Sequence, residues 1–307
     1  MTVLEVIQKS AEFLAKKEVD SPRLQAELLL AHVLQLPRMK LYLNFERQLT
    51  SAEEDAAREL VRRRGQREPV QHILGSTSFC GFEIAVNRHV LVPRPETELL
   101  AELGWQFLAS LQNSLSAQPS PGRTALDFGT GSGCIAIALA AKCPSVEVAA
   151  LDVSDEALTV AKQNAAKNGV TERIRFLEGD GFAALVDSPG RSRSAMMRAR
   201  SRSEVQFDLI VSNPPYIPSG EIASLQPEVR DFDPRKALDG GGDGLDFYRK
   251  LAAEAMPFLK PEGKIMLEFG DGQAGAIGQI FIGQKWIVES VREDYSRRPR
   301  ILIARRA

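Results

Sequence analysis

The sequence of 307 residues contains only three cysteines and three histidines, and these residues lie far apart along the chain. Cys80, Cys134 and Cys143 show no CxxC spacing, and the histidines are not spaced as metal ligands, which argues against a zinc site or a disulfide framework. No apolar run approaches the roughly 20 residues that span a membrane. Acidic residues occur early, and no cleavable apolar segment precedes them. We therefore expect a cytoplasmic protein without a bound metal.

The chain also lacks an excess of charge of either sign. Its 39 lysines and arginines are balanced by 40 aspartates and glutamates, for a net charge of −1. This balance gives no electrostatic argument for nucleic-acid binding, so a nucleic-acid partner is not expected. The length allows one large domain and one small domain, and we expect a monomer.

Residues 1–73 are predicted to form a small domain made only of helices. Apolar residues recur at helical spacing in the first 14 residues. Ser21 and Pro22 then provide an N-cap and a first-turn proline for a second helix. Ser51 is predicted to open a capping box before a helix that ends near Gly65. Such a bundle buries too little for an active site, so docking of a partner is its expected role, and structural support is the alternative.

Charged residues in the last predicted helix of this domain follow a helical repeat. The spacing predicts the ion pairs Glu54–Arg58 and Glu59–Arg63 on its surface. The run of three arginines at 62–64 is interpreted as a solvated helix end. A contact patch is the alternative.

Residues 74–95 are predicted to form a β-hairpin linker, because residues 79–86 alternate and contain a glycine. A helix is expected to start at Pro95. Beyond it, residues 96–307 alternate between strands and helices, as a doubly wound, mostly parallel sheet does. The last two strands have no helix between them and predict an antiparallel hairpin at the sheet edge. The predicted strands cover 124–128, 146–151, 174–178, 207–212, 263–269, 285–291 and 300–305, and the predicted helices cover 133–142, 154–168, a stretch from about 180, and 244–258.

A segment rich in arginine and serine, residues 188–204, interrupts this alternation where a short loop would suffice. Its composition predicts a disordered insertion. A role in gripping ribosomal RNA is the alternative.

A glycine-rich turn follows the first strand of this alternation. Glycines let the backbone approach a ligand closely, and acidic side chains at the ends of the next two strands can accept hydrogen bonds from a nucleoside. The spacing Gly-x-Gly-x-Gly differs from the dinucleotide pattern and favours S-adenosylmethionine. The predicted cofactor residues are Gly129, Thr130, Gly131, Ser132, Gly133, Asp152 and Asp180.

The strand at 207–212 ends in the sequence Asn213-Pro214-Pro215-Tyr216. Pro214 has no N–H and drives Asn213 toward extended geometry, so the strand stops there. An amide, two carbonyls and an aromatic ring are thereby held at the carboxyl end of a strand, where open α/β sheets bind ligands. The motif resembles the signature of S-adenosylmethionine-dependent methyltransferases that modify planar amino or amide nitrogens.

Four motifs together extend this resemblance over nearly the whole chain. They are residues 69–75 (PVQHILG), 93–98 (PRPETE), 213–216 (NPPY) and 237–245 (ALDGGGDGL). In this order they resemble the PrmC/HemK family of peptide chain release factor glutamine methyltransferases. The resemblance implies a seven-stranded methyltransferase sheet and a helical N-terminal domain that docks the release factor. It also implies Gly181 as a further cofactor-binding residue.

The resemblance also implies the reaction. A methyl group would pass from S-adenosylmethionine to the glutamine amide of a Gly-Gly-Gln tip, leaving S-adenosylhomocysteine. Asn213, Pro214 and Tyr216 would be catalytic, and these three with Pro215 would bind the glutamine. The Asn213 side-chain oxygen and the Pro214 carbonyl can each accept one amide N–H, while Tyr216 can pack against the amide plane and the sulfonium.

Three features depart from the family pattern. Gly181 stands where relatives often have an aromatic residue near adenine, so Phe182 would have to supply that aromatic ring instead. Arg297 stands where the family tends to have glycine in the last hairpin, and the segment 188–204 is not part of the pattern.

Two other functions remain open at this point. Because the same Asn-Pro-Pro-Tyr suits an exocyclic amine, a nucleic-acid adenine or guanine amino-methyltransferase is the main alternative. A ribosome-associated adaptor with an inactive methyltransferase fold is the other, against which the intact glycine turn and Asn-Pro-Pro-Tyr argue.

Overall fold

The computed structural model describes residues 1–112, 122–186 and 205–307. The predicted insertion at 188–204 and most of the predicted loop at 112–123 lie outside these residues. The described chain forms two compact units. The first contains Met1–Thr77 together with Ser224–Asp233, and the second contains Ser78–Ala223 and Pro234–Ala307.

The first unit is helical, as the sequence predicts. Its core is built from apolar residues of the first three helices, such as Ile7, Leu14 and Leu29, which are fully buried. The helices are α1 (Val3–Lys16), α2 (Pro22–Val33), α3 (Ser51–Gly65), α4 (Val70–Leu74) and α8 (Pro227–Arg230), with a 3-10 helix at Arg38–Leu43.

Two helix caps in this unit differ from the sequence prediction. Ser21 precedes α2 but adopts a left-handed conformation (φ 48°) and its side chain makes no capping hydrogen bond. The capping box of α3 is formed by Thr50 and Glu53, one residue before the predicted Ser51. Thr50 is the N-cap residue because its backbone is extended. In this conformation its hydroxyl accepts from the Glu53 N–H, and the Glu53 carboxylate accepts from the Thr50 N–H.

The predicted surface pairs of α3 are also wrong in register. Arg58 pairs with Asp55, and Arg62 pairs with Glu59, so the partners are three residues apart rather than four. Residues three apart and residues four apart are both neighbours on a helix surface, so the spacing alone does not decide between them. Arg63 instead pairs with Glu68 beyond the helix end.

The interpretation of residues 62–64 as a solvated helix end is wrong for Arg64. Its side chain is 4% exposed and donates to Gln25 and, at 2.5 Å, to Glu228. Arg67 donates to both carboxylate oxygens of Glu228 at 2.7 Å. Burial raises the pKa of Glu228, but the hydrogen bonds from Arg67 and Arg64 outweigh it and hold the pKa below its usual value. These ion pairs fasten Ser224–Asp233 within the helical unit.

The second unit contains the predicted seven-stranded sheet. Its strands are ordered β5-β4-β3-β6-β7-β9-β8, and the first five are parallel. Strand β9 runs antiparallel to both β7 and β8, which confirms the predicted hairpin at the edge. The strands are β3 (Arg123–Phe128), β4 (Val146–Asp152), β5 (Ile174–Glu178), β6 (Phe207–Ser212), β7 (Leu259–Glu268), β8 (Trp286–Glu293) and β9 (Pro299–Arg306).

Helices cover both faces of this sheet. Alternate residues of β6 point to opposite cores: Leu209 and Val211 join one cluster, and Ile210 joins the other. The first cluster packs under α5 (Pro95–Gln112), α6 (Cys134–Lys142) and α7 (Asp155–Lys167), and the second under α9 (Asp246–Glu254) and α10 (Ala274–Gly283). Strand order reverses at β3, which pairs with β4 on one side and β6 on the other, so a crevice is expected at their carboxyl ends.

Before the sheet, β1 (Ser76–Phe79) and β2 (Phe82–Ala85) form the predicted hairpin. Cys80 and Gly81, the two residues between them, both have positive φ, as a tight hairpin turn requires. Helix α5 begins at Pro95, as predicted.

Three elements of the sheet unit differ from the sequence prediction. The helix expected from about 180 is only a 3-10 turn over Phe182–Leu185 in the described residues. Helix α10 was not predicted, because its three glycines lower helix propensity, yet burial of Ile277 and Phe281 one turn apart stabilises it. In the last hairpin Arg297 adopts a left-handed conformation (φ 61°), which explains why glycine suits that position.

Candidate functional site

A cavity of about 660 Å³ opens at the carboxyl ends of β3, β4 and β6, all in the second unit. It brings together most of the residues that the sequence singled out. Gly133, Pro214 and Tyr216 are predicted site residues that do not line it. Those that do line it are Gly129, Thr130, Gly131, Ser132, Asp152, Asp180, Gly181, Asn213 and Pro215.

The glycine turn connects β3 to α6. The N–H groups of Gly129 and Thr130 donate to the Leu151 carbonyl at 2.8 and 2.9 Å, which ties the turn to the end of β4. Gly133 has φ 80°, and a Cβ there would lie 3.0 Å from the Ala161 side chain of α7. Gly133 therefore serves close packing between the turn and α7, which accounts for its place outside the cavity wall.

Asp152 closes β4 and braces the glycine turn. One carboxylate oxygen accepts from the Gly131 N–H at 2.8 Å, and the other accepts from the Ser154 N–H at 3.0 Å. Each oxygen keeps a further lone pair. The side chain can therefore hold the turn and still accept from hydroxyl groups of a ligand in the cavity.

Replacing Asp152 with Ala should weaken S-adenosylmethionine binding by about 1.5–3 kcal/mol, the cost of losing hydrogen bonds to a charged acceptor. Isothermal calorimetry measures this directly. Asp155→Ala is the matched control, because Asp155 lies three residues on, outside the cavity wall, and should leave the affinity unchanged. Undiminished affinity of the Asp152 variant would remove Asp152 from the binding site.

Asp127 supports the same turn, and sequence reasoning missed it. Its side chain is fully buried, and one oxygen accepts from the Thr130 hydroxyl at 2.6 Å and from the Ala136 N–H at 3.1 Å. Burial raises the pKa of Asp127 to about 7, against the opposing effect of these two hydrogen bonds. The signal that could have found it is an acid inside an otherwise apolar strand just before the glycines.

Just after β5, Asp180 and Phe182 make contacts that the sequence did not predict. Asp180 lines the cavity, but its carboxylate also accepts from Lys250 at 2.6 Å. A Cβ on Gly181 would lie 2.8 Å from the Lys250 side chain, so a larger residue does not fit there without movement of Lys250. Phe182 does not replace the expected aromatic wall, because it is buried between Phe128 and Phe258.

Phe247 of α9, which the sequence analysis did not single out, lines the cavity together with Gly181. It follows the glycine-rich motif at 237–245 by two residues. An aromatic ring is therefore available in the wall from another element of the fold.

Asn213 extends from the end of β6 into the cavity wall. Its Nδ2 donates to the Thr97 hydroxyl oxygen at 3.1 Å, whereas its Oδ1 is buried and has no hydrogen-bond partner. The preceding Ser212 hydroxyl donates to the Phe128 carbonyl at 2.6 Å and so joins the ends of β6 and β3. A buried acceptor without a partner costs free energy unless a ligand satisfies it. The arrangement thus favours a ligand that donates an N–H or O–H to Asn213.

The backbone of Tyr216 is held by the motif at 237–245 and by α10. The Gln273 side chain donates to the Tyr216 carbonyl at 2.9 Å. A Cβ on Gly244 would lie 2.4 Å from the same carbonyl, and one on Gly240 would lie 2.9 Å from the Pro215 carbonyl. These glycines therefore permit the close backbone approach that fixes Asn-Pro-Pro-Tyr in place.

The Tyr216 side chain packs against the core rather than lining the cavity. Burial raises its pKa to about 12, so the phenol is neutral at physiological pH. Its predicted packing against a substrate amide stays a prediction.

Among the described residues, no group of three or more potential ligand side chains could hold a metal ion. In the same residues, no helix is long and apolar enough to cross a membrane.

Comparison with known proteins relates both units to one family. Residues 5–75 match the family model of the PrmC N-terminal domain, and residues 105–189 match the methyltransferase small domain. The release factor glutamine methyltransferase of Chlorobaculum tepidum is 42% identical, over 96% of this chain and 94% of that protein. The enzyme of the same name from Geobacter sulfurreducens is 41% identical, over 91% of this chain and 88% of that protein.

A solved structure supports the fold alone. The hMettl16 catalytic domain, crystallised with a 3'UTR hairpin, superposes with a TM-score of 0.50 at 18% identity, covering 84% of this chain and 81% of that one. The identities of 42% and 41% over nearly the full length of the chain show that it belongs to the release factor glutamine methyltransferase family.

Proposed function

We propose that the protein transfers a methyl group from S-adenosylmethionine to the side-chain amide nitrogen of the glutamine in the Gly-Gly-Gln motif of peptide chain release factors. S-adenosylhomocysteine is the second product. The observation that carries the proposal is the buried Oδ1 of Asn213, which has no partner and belongs to the wall of a cavity that also contains the glycine turn and Asp152. Family membership supports it.

The residues of the cavity fit S-adenosylmethionine. Asp152 can accept from ribose hydroxyls, Asp180 can accept from the adenine amine, and Gly129 and Gly131 present bare backbone in the cavity wall. When bound, this cofactor supplies an electrophilic methyl group on a positively charged sulfur.

Asn213 and Pro214 act on the substrate amide. An amide nitrogen is a poor nucleophile because its lone pair is delocalised into the carbonyl. In this proposal the Asn213 Oδ1 accepts one N–H of the substrate, and the Pro214 carbonyl accepts the other although Pro214 is not among the residues that line the cavity. These two bonds orient the nitrogen and stabilise the positive charge that develops on it. The neutral phenol of Tyr216 is not required as a base, since the proton can leave after the nitrogen has reacted.

The test is transfer of label from methyl-labelled S-adenosylmethionine to a purified release factor. The wild-type factor should take up one methyl group per molecule, and a factor with Gln→Ala in the Gly-Gly-Gln motif should take up none. Equal labelling of both factors would overturn the proposal. Labelling of RNA or DNA instead of the factor would favour a nucleic-acid amino-methyltransferase.

We propose further that the helical unit docks the release factor. Its 3-10 helix exposes apolar side chains, with Met39 66% and Leu43 77% exposed. Deleting residues 1–70 is not a clean test, because Glu228 would lose its partners Arg64 and Arg67. Point substitutions on the exposed surface leave those ion pairs intact.

The double variant Met39→Lys/Leu43→Lys should therefore raise KM for the intact release factor by about 5-fold to 30-fold, equivalent to about 1–2 kcal/mol of lost contact. Methylation of a short Gly-Gly-Gln peptide, which cannot reach this surface, should not change. Ile282→Lys, on the exposed side of α10, is the matched control and should alter neither rate. An unchanged KM for the intact factor would show that docking occurs elsewhere.

The enzyme is proposed to act as a monomer in the cytoplasm. Cys80, Cys134 and Cys143 are all free thiols, as suits a reducing compartment.

A further inference from the structure

The orientation of the Asn213 amide decides what it can do in the proposed reaction. An asparagine side chain fits a site equally well in two orientations, which exchange its acceptor oxygen and its donor NH₂. With Oδ1 toward the cavity it accepts from the substrate amide, and with Nδ2 there it opposes that amide with a second donor. Some neighbouring group must therefore select one orientation.

Thr97 contacts Asn213 but does not select the orientation alone. It lies in the first turn of α5, is 3% exposed, and its oxygen lies 3.1 Å from Asn213 Nδ2. A threonine hydroxyl both donates and accepts, so it would also satisfy Oδ1 in the flipped orientation. The selection depends on where the Thr97 proton is directed.

Glu268 directs that proton. It is the last residue of β7, is 2% exposed, and its carboxyl group is hydrogen-bonded to the Thr97 side chain. An ionised carboxylate only accepts, so Thr97 donates its proton to Glu268 and keeps its lone pairs for Asn213 Nδ2. Burial raises the pKa of Glu268 to about 7, against the opposing effects of the hydrogen bond from Thr97 and of the Arg300 and Arg94 charges, so the ionised form that directs the Thr97 proton prevails above pH 7. Its other oxygen, Oε2, is buried without a partner.

We propose that Glu268 and Thr97 are positioning residues that orient the Asn213 amide, so that Oδ1 rather than the NH₂ group meets the substrate. The inference rests on the proposed function and deepens it. Three elements, α5, β6 and β7, thus contribute one side chain each to a buried chain of hydrogen bonds that ends at the reacting amide.

A double-mutant cycle tests this chain of hydrogen bonds. Thr97→Val keeps the shape of the side chain but neither donates nor accepts, so kcat should fall about 10-fold to 100-fold, the cost of a misplaced catalytic group. Thr97→Ser restores the hydroxyl and should recover kcat to within about threefold. In an Asn213→Ala background, Thr97→Val should change kcat by less than about twofold, because Thr97 acts only through Asn213.

Thr124→Val is the control for loss of a hydroxyl from the same sheet. Thr124 lies at the amino end of β3 and bonds to Asp208 and Gln206, so its loss should lower the melting temperature without lowering kcat. Binding of S-adenosylhomocysteine, measured by calorimetry, should be equal in wild type and Thr97→Val, which shows that the variant is folded.

The outcomes separate this inference from the proposed function. If the wild-type enzyme fails to methylate the factor, the proposed function is wrong. If the wild type is active and Thr97→Val retains full kcat, or loses as much in the Asn213→Ala background as in the wild type, the positioning role is wrong. If Thr97→Ser lowers kcat as much as Thr97→Val does, the positioning role is wrong as well.

Discussion

Asn213→Ala should reduce turnover of the release factor by about 10²-fold to 10³-fold, or roughly 2.7–4 kcal/mol, as for removal of one preorganised transition-state partner. The variant loses the acceptor Oδ1, which is buried and unpaired and so is available to the substrate. Single-turnover kinetics with saturating cofactor measure the loss in the chemical step. Affinity for S-adenosylmethionine should hardly change, since the residues proposed to bind the cofactor are Asp152 and those of the glycine turn.

Asn213→Asp separates the acceptor from the donor. It keeps an oxygen toward the substrate but loses the Nδ2 donor to Thr97 and adds a negative charge in the cavity wall. Activity should lie between that of wild type and that of Asn213→Ala. Asn168→Ala, at the end of α7 and outside the cavity wall, is the matched control and should be fully active. An Asn213→Ala variant with undiminished turnover would contradict the glutamine-amide mechanism.

Glu228→Ala should lower the free energy of unfolding by about 3 kcal/mol, because it leaves the buried Arg64 charge without its partner. Arg67 loses both of its bonds to the same carboxylate. Chemical denaturation at pH 7 measures the effect. Glu59→Ala is the matched control: Glu59 forms an exposed pair with Arg62 and should cost less than about 1 kcal/mol.

The contribution of Glu228 to the free energy of unfolding should decrease as the pH is lowered. Its folded pKa is held below the usual value of 4.5 by Arg67 and Arg64, so its stabilisation is complete above pH 4.5 and is lost as the pH falls through the folded pKa. The difference in stability between wild type and Glu228→Gln should therefore shrink on acidification below pH 4.5. A difference that stays constant from pH 7 to pH 3 would show that the ion pairs do not stabilise the unit.

The periodic parts of the fold were predictable from the sequence. Strands β3, β4 and β6 and helices α6 and α7 follow from apolar patterns of the right length, and the last hairpin follows from two strand patterns without a helix between them. The failures have local causes. Thr50 caps α3 in place of Ser51, and α10 forms despite its glycines, because backbone geometry and burial override composition.

The candidate site was predictable where its residues lie in short motifs or, as for Asp152 and Asp180, at the ends of predicted strands. The glycine turn and Asn-Pro-Pro-Tyr carry their chemistry in short motifs, and the cavity is lined by Gly129 to Ser132 of the first and by Asn213 and Pro215 of the second. Thr97 and Glu268 are 171 positions apart in the sequence and meet only when α5 and β7 are packed, so no spacing reveals their hydrogen bond. The same holds for Lys250 beside Gly181 and for Phe247 in the cavity wall.

The measurement that tests the proposed function most directly uses an extract of cells that lack this protein, so that its natural substrate is unmethylated. Purified protein and methyl-labelled S-adenosylmethionine are added, and the labelled macromolecules are separated and identified by mass spectrometry. We predict that the label is found in a release factor, on the amide nitrogen of the glutamine in its Gly-Gly-Gln motif. Label found in RNA or DNA, with the release factors unmodified, would contradict the account.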